Sequence, residues 1–121
     1  MKQIVACMVA FVAVAAVAED IVLGDFEGPN YGEWKAAGDA FGSAPAQGTL
    51  PNQMAVSGFE GKGLANSYVN GDGSKGTLTS PEFEITKDWI NMLVGGGCHP
   101  NETCVNLLVD GVVARTLTGR D

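Results

Sequence analysis

The sequence predicts an all-β fold, an antiparallel β-sandwich. Short apolar runs are cut at close intervals by glycine, proline and Asx residues, with 17 glycines and 5 prolines in 121 residues. No stretch beyond the N-terminus sustains an apolar repeat of 3.6 residues or carries a convincing helix cap. Between Val105 and Leu117, Asp110-Gly111 separates two apolar runs, the pattern of a two-residue type I′ hairpin. Many short strands divided by turns of this kind fit two packed sheets rather than helices on a sheet.

The first segment, residues 1–18, is set apart. Lys2 precedes an apolar run from Ile4 to Val17, and Ala16-Val17-Ala18 stands before the first acidic pair, Glu19-Asp20. This is the layout of a secretory signal peptide cut after Ala18. A membrane anchor is the rival, but the run falls short of the ~20 residues that span a bilayer. Cys7 lies too early for a lipoprotein. Residues 19–121 are then one partial sandwich domain, secreted to an extracellular or periplasmic space and with no membrane attachment after cleavage. The chain carries a formal net charge of -7, more negative once Lys2 is removed. With no cluster of Lys and Arg to neutralise phosphates, nucleic acid is excluded as a partner.

Along the domain, Ile21-Val22-Leu23 leading into Asp25-Phe26-Glu27 predicts a first strand, closed by Gly28-Pro29-Asn30. Trp34-Lys35-Ala36 predicts a short second strand. The next ~20 residues, rich in Gly, Ala, Pro, Ser and Gln, read as a long loop of the kind that carries function or is poorly ordered. Ser57 to Gly63 (SGFEGKG) is turn chemistry, and Leu64 to Val69 predicts a strand ended by Asn70-Gly71-Asp72-Gly73-Ser74. Thr77 to Ser80 begins another strand, and Phe83-Glu84-Ile85 alternates beyond Pro81, which confines the strand to an edge or bends it. Trp89 to Val94 (WINMLV) is the most continuous apolar run after residue 18 and predicts a central strand buried on both faces. In the final hairpin a regular register pairs Val109 with Val112, Leu107 with Ala114 and Val105 with Thr116 on a core-facing side. Leu108 then opposes Val113, and Asn106 opposes Arg115, on the other.

Several groups carry candidate chemistry. Asp25 and Glu27, at i and i+2, share one strand face at about the 5 Å separation of a retaining glycosidase pair. With no aromatic cleft argued around them, a solvated face or a calcium site built with nearby carbonyls is the stronger reading. Tyr31, Trp34 and Tyr68 are the aromatic rings able to stack on sugars, against the alternative of ordinary core packing. Cys98 and Cys104, the two cysteines after residue 18, suggest a disulfide in an oxidising compartment, with two reduced thiols as the alternative. Zinc or nucleophilic chemistry at Cys98-His99 and Cys104 lacks a fourth ligand and a demonstrated pair. Asn101-Glu102-Thr103 is an acceptor tripeptide for N-glycosylation wherever a host carries the machinery.

Taken in order, DFEG (Asp25 to Gly28), YGEWKAAGDAFGSAPAQGTLP (Tyr31 to Pro51), SGFEGKGLANSY (Ser57 to Tyr68), GDGSKGTLTSPEFEI, GGGCHPNETCVNLLVDG and RTLTG make up nearly all of residues 19–121. This series resembles the accessory β-sandwich of levanase-like members of glycoside hydrolase family thirty-two, secreted bacterial fructan hydrolases. The resemblance implies a jelly-roll-like, galactose-binding-like sandwich of the kind that often holds a structural calcium ion. It also implies a neighbouring five-bladed propeller that does the hydrolysis, and a fructan as the polysaccharide partner. The family's catalytic Asn-Asp-Pro, Arg-Asp-Pro and Glu-Cys motifs do not occur; Met92 follows Trp89-Ile90-Asn91 where the first would need Asp. The resemblance therefore assigns no catalytic residue here. It implies a non-catalytic N-terminal piece of a longer glycosidase, with strands missing after Asp121. A free-standing carbohydrate-binding or adhesive sandwich at the cell surface is the alternative.

Overall fold

A computed structural model describes residues 19–120. The expected signal segment, residues 1–18, lies outside the described residues. The described chain is all-β, without a helix, and forms two small antiparallel sheets: β1 (Lys35–Gly38) with β2 (Gly76–Thr79), and β3 (Val105–Val109) with β4 (Val112–Leu117). It divides at Glu82/Phe83 into two compact units, each holding one of these sheets.

In the first unit, β1 and β2 pair from Lys35↔Thr79 to Gly38↔Gly76. The glycines at the last pair are required by distance. A Cβ on Gly38 would lie 2.3 Å from the Lys75 carbonyl oxygen, and one on Gly76 would lie 2.4 Å from that of Ala37. Gly38 also has a φ of +80, where side chains are strained. The chain leaves β1 held by Asp39, whose N–H donates to the Lys75 carbonyl at 2.9 Å and whose carboxylate accepts the Lys75 N–H at 2.9 Å.

The long segment between β1 and β2 is irregular but closed upon itself. Ala46 and Leu64 form a single antiparallel bridge with both N–H···O distances at 2.9 Å. Asn66, only 5% exposed, exchanges amide hydrogen bonds with Gln53 at 2.8 and 3.0 Å. The apolar interior of this unit is small: Tyr31, Ala40 and Ala46 are its buried apolar residues. Polar bonds therefore carry much of the order that a larger core would supply.

Two expected strands are absent here. Ile21 to Glu27 is not a strand, because Phe26 has a φ of 57, which takes the backbone out of the β region. Leu64 to Val69 contributes one bridge and then turns. The Asn66 Oδ1 accepts the Tyr68 N–H at 3.0 Å, an Asx-type bond that curls the chain where the apolar pattern suggests extension.

The second unit is built on the β3–β4 hairpin. Asp110 and Gly111 have φ values of 51 and 80, as a type I′ turn demands. Val109↔Val112 and Leu108↔Val113 pair as expected, but beyond them the register shifts: Leu107 faces Arg115, Asn106 faces Thr116 and Val105 faces Leu117. Ala114 is the extra residue of a β-bulge. A regular ladder would put Asn106 against Arg115 and Val105 against Thr116. The bulge instead matches apolar Val105 to Leu117, and lets the Thr116 hydroxyl donate to Asn106 Oδ1 at 2.8 Å. Each such cross-strand pair contributes about 0.2–1 kcal/mol. Arg115 Nη1 donates to the Ala114 carbonyl at 2.7 Å, satisfying an acceptor at the bulge.

The expected burial of this hairpin is not realised. Of the six residues expected to face a core, Val105, Val109, Val112, Ala114 and Thr116 are exposed, and Leu107 is half-buried. Trp89 to Val94 is likewise not a central strand; Trp89 is 81% exposed and Leu93 65%. Phe83 to Ile85 forms no strand either. A continuous apolar run becomes a buried strand only where a ladder partner and a covering layer exist, and the described residues of this unit supply neither to Trp89–Val94.

In NMR spectra of the chain, cross-strand contacts should connect Leu117 to Val105 and Thr116 to Asn106, and deleting Ala114 should preserve both by removing only the bulged residue. Contacts from Thr116 to Val105 in the intact chain would mean that the bulge is absent.

Candidate functional site

The first unit gathers its aromatic residues around Phe26. The Phe26 ring meets Tyr31 edge-on at 6.1 Å and Trp34 edge-on at 5.2 Å. The polar end of each partner is anchored to backbone: Tyr31 Oη donates to the Phe41 carbonyl at 2.8 Å and Trp34 Nε1 to the Leu23 carbonyl at 2.8 Å. Burial pushes the Tyr31 phenol above the ordinary tyrosine pKa, because the phenolate would lose solvation. Gly24 lies so close to the indole that a Cβ there would be 3.0 Å from Trp34 Nε1.

Beside this cluster is a hollow of about 430 Å³ whose lining includes Val22, Asp25, Asn30, Tyr31, Glu33 and Trp34. Tyr31 and Trp34 are thus brought together, although they differ in role. Tyr31 is 7% exposed and packs as core, whereas Trp34 is half-buried and keeps ring surface available. Tyr68 is not part of this hollow. It lines a second one of about 350 Å³, with Leu50, Asn52, Val69 and Asn70, and its hydroxyl donates to the Asn52 carbonyl at 3.0 Å.

Asp25 and Glu27 do not project side by side from a strand. Asp25 Oδ1 accepts the N–H of Glu27 at 3.1 Å. The Glu27 carboxylate reaches a distant turn, where its Oε1 and Oε2 accept the Lys62 N–H at 2.9 and 3.1 Å and its Oε2 also accepts the Gly63 N–H. Gly61 and Gly63 make room for it: a Cβ on Gly61 would lie 2.6 Å from Glu27 Oε1, and one on Gly63 would lie 1.8 Å from the Phe26 carbonyl oxygen. Two consecutive amides aimed at one carboxylate form a small anion-binding concavity. A calcium ion at this pair would have to compete with those N–H donors for the Glu27 oxygens. Among the described residues no group of three or more His, Cys, Asp or Glu is placed to hold a metal ion. Residue-by-residue reading missed the clasp, though its signal lies in SGFEGKG: glycines on both sides of Lys62 permit a close approach that any side chain would block.

In the second unit the structure carries Cys98 and Cys104 as thiols. The Thr118 hydroxyl donates to Cys98 Sγ at 3.6 Å, and Cys104 Sγ donates to Asn106 Oδ1 at 3.8 Å. His99 uses its backbone to bridge Thr103 and close the loop between the two cysteines.

With this geometry in hand, comparison with known proteins gives one connection. No family model matches the chain, and no solved structure matches it. A protein of Aspergillus rugulosus named "Putative glycosyl hydrolase ecdE" is 41% identical over 104 residues, covering 84% of this chain. The chain is linked to glycoside hydrolases. It spans only 15% of the length of that relative.

The Glu27 clasp has a measurable consequence. Glu27→Ala should lower the stability of the first unit by about 1.5–2 kcal/mol, the lower part of the range for hydrogen bonds to a charged group, since water reaches the vacated amides. Asp25→Asn should cost less than half of that. Urea unfolding followed by Trp34 fluorescence, in a Trp89→Phe background, reads both; an unchanged midpoint for Glu27→Ala would show that the clasp carries no stability.

Proposed function

We propose that this chain is a non-catalytic accessory segment of a longer, secreted glycoside hydrolase of the levanase-like type, acting on fructans. The observation that carries the reading is the 41% identity over 104 residues to a small part, 15%, of a protein named as a glycosyl hydrolase. Two features support the non-catalytic part. The acid pair nearest to glycosidase spacing is occupied with folding, since both Glu27 oxygens accept backbone N–H groups. The Asn-Asp-Pro, Arg-Asp-Pro and Glu-Cys motifs that levanase-like enzymes use for catalysis do not occur in the sequence.

In this reading the two small antiparallel sheets belong to a jelly-roll-like sandwich completed by further polypeptide. The apolar side chains of the second unit supply the reason. Val105, Leu108, Val109, Val112, Val113 and Leu117 are all exposed, with Val112 69% so. Such a density of apolar surface on a hairpin marks a packing face. Its occupant is another part of the same longer polypeptide, a further sheet or the catalytic propeller. Secretion through residues 1–18 and a Cys98–Cys104 bridge in the oxidising exterior complete the proposal.

A carbohydrate role for the first unit is favoured by the hollow at Trp34, where a half-buried indole stands among Asp25, Asn30 and Glu33. A ring stacked on a sugar face with amide and carboxylate groups at its rim is the usual design of such a site. Tyr31 supports Trp34 through Phe26, and Tyr68 belongs to a separate hollow.

Calorimetric titration of residues 19–121 with levan and with inulin, with and without calcium, tests this reading. Binding should be weak, independent of calcium and abolished by Trp34→Ala, while Tyr68→Ala leaves it unchanged. Fructose released from levan by the isolated folded segment would overturn the non-catalytic assignment. Absence of binding to either polymer would confine the segment to a packing role.

A further inference from the structure

The loop between Cys98 and Cys104 plays no part in the proposed carbohydrate hollow, yet it presents a complete acceptor for a covalent modification. The sequence holds one Asn-X-Ser/Thr tripeptide, Asn101-Glu102-Thr103, and its middle residue is not proline. The structure sets it at the tip of a tight turn. The N–H groups of Glu102 and Thr103 both donate to the His99 carbonyl, at 3.0 and 2.9 Å, and His99 bridges Thr103 in antiparallel fashion. Pro100, Asn101 and Glu102 are thereby pushed outward, and Asn101, Glu102 and Thr103 are all exposed. Neither the Asn101 amide nor the Thr103 hydroxyl makes a side-chain hydrogen bond among the described residues, so both are available to an enzyme. Residues 1–18 have the layout of an export signal, the similar protein comes from Aspergillus rugulosus, and an exposed Asn-X-Thr tripeptide on an exported chain is the acceptor that N-glycosylation requires.

We infer that Asn101 is an N-glycosylation site, taking an oligosaccharide from a polyprenyl diphosphate donor as the chain passes through a eukaryotic secretory pathway. The transfer balances without redox chemistry. The Asn101 Nδ2 forms a bond to the anomeric carbon of the first sugar, the bond from that carbon to the phosphate oxygen breaks, and the polyprenyl diphosphate leaves. One amide proton passes to a base of the membrane-bound transferase. The Thr103 hydroxyl, two residues on, is the feature that the transferase reads beside the acceptor. A bulky polar glycan at this tip keeps Asn101 in solvent, so the apolar cover of the hairpin has to come from another direction.

The inference rests on export and not on the glycosidase reading, and the two fail separately. The full 121-residue chain is produced in a filamentous fungus with its own N-terminus, and in parallel with a host secretion leader in place of residues 1–18. The secreted protein should run as a heavier, heterogeneous species that collapses to one band with peptide N-glycosidase, leaving aspartate at position 101 in the peptide map. Asn101→Gln and Thr103→Ala should each remove the shift completely, and Thr103→Ser should retain it. Lumenal protein from either arm with unmodified Asn101 would overturn the inference, whatever the levan titration shows. Modified protein from the leader arm alone would support the site and reject residues 1–18 as the export signal.

Discussion

The constraint on which the structure depends is a shortage of interior. In the first unit the buried apolar residues are Tyr31, Ala40 and Ala46, two of them among the smallest side chains. Burying so little apolar surface cannot offset the conformational entropy of a long irregular loop. The chain meets this with fixed polar contacts across large sequence separations. Glu27 holds the turn at Lys62 and Gly63, Asp39 holds Lys75, and Asn66 exchanges hydrogen bonds with Gln53. The Glu27 and Asn66 contacts join segments that no strand pairs, and the Asp39 contact extends the β1–β2 pairing by one residue.

In the second unit the same shortage has a different outcome. No apolar side chain among its described residues is buried, and a two-stranded hairpin is marginal in water without a face to pack on. The bulge at Ala114 shows that the hairpin is nevertheless specified in detail, since it matches Val105 to Leu117 and Asn106 to Thr116, although Leu107 then faces Arg115. Such matching is of use to a sheet that will be covered on at least one face. In the proposed reading that cover is further polypeptide; the chain spans 15% of the length of the relative named as a glycosyl hydrolase.

The sequence was legible where the signal is local. The Asp110-Gly111 turn, the strand at Thr77 and the strand after Trp34 depend on turn chemistry and on the residues within them, and they formed within a residue or two of the expected bounds. The failures arise where a partner is lacking or where one residue's side chain or backbone overrides the apolar pattern. Trp89 to Val94 reads as a central strand because apolar runs of that length usually find a sheet, and the described residues offer it no partner. Asn66 and Phe26 end two other expected strands, the first through a side-chain hydrogen bond and the second through a positive φ that periodicity does not encode. The bulge escaped because alternation alone cannot show an inserted residue. At the candidate site the structure brings Tyr31 and Trp34 to one hollow and Tyr68 to another, and it shows Glu27 engaged with the Lys62 and Gly63 amides, a contact that residue types alone do not announce.

Native-state amide hydrogen exchange on the 121-residue chain bears most directly on the claim that the hairpin is a face awaiting further polypeptide. The N–H groups of Val105 to Leu117 should exchange with little protection, while those of Lys62 and Gly63, held by Glu27, exchange markedly more slowly. Hairpin amides that exchange only through global unfolding would contradict the account, because they would show that the second unit is stable without additional cover.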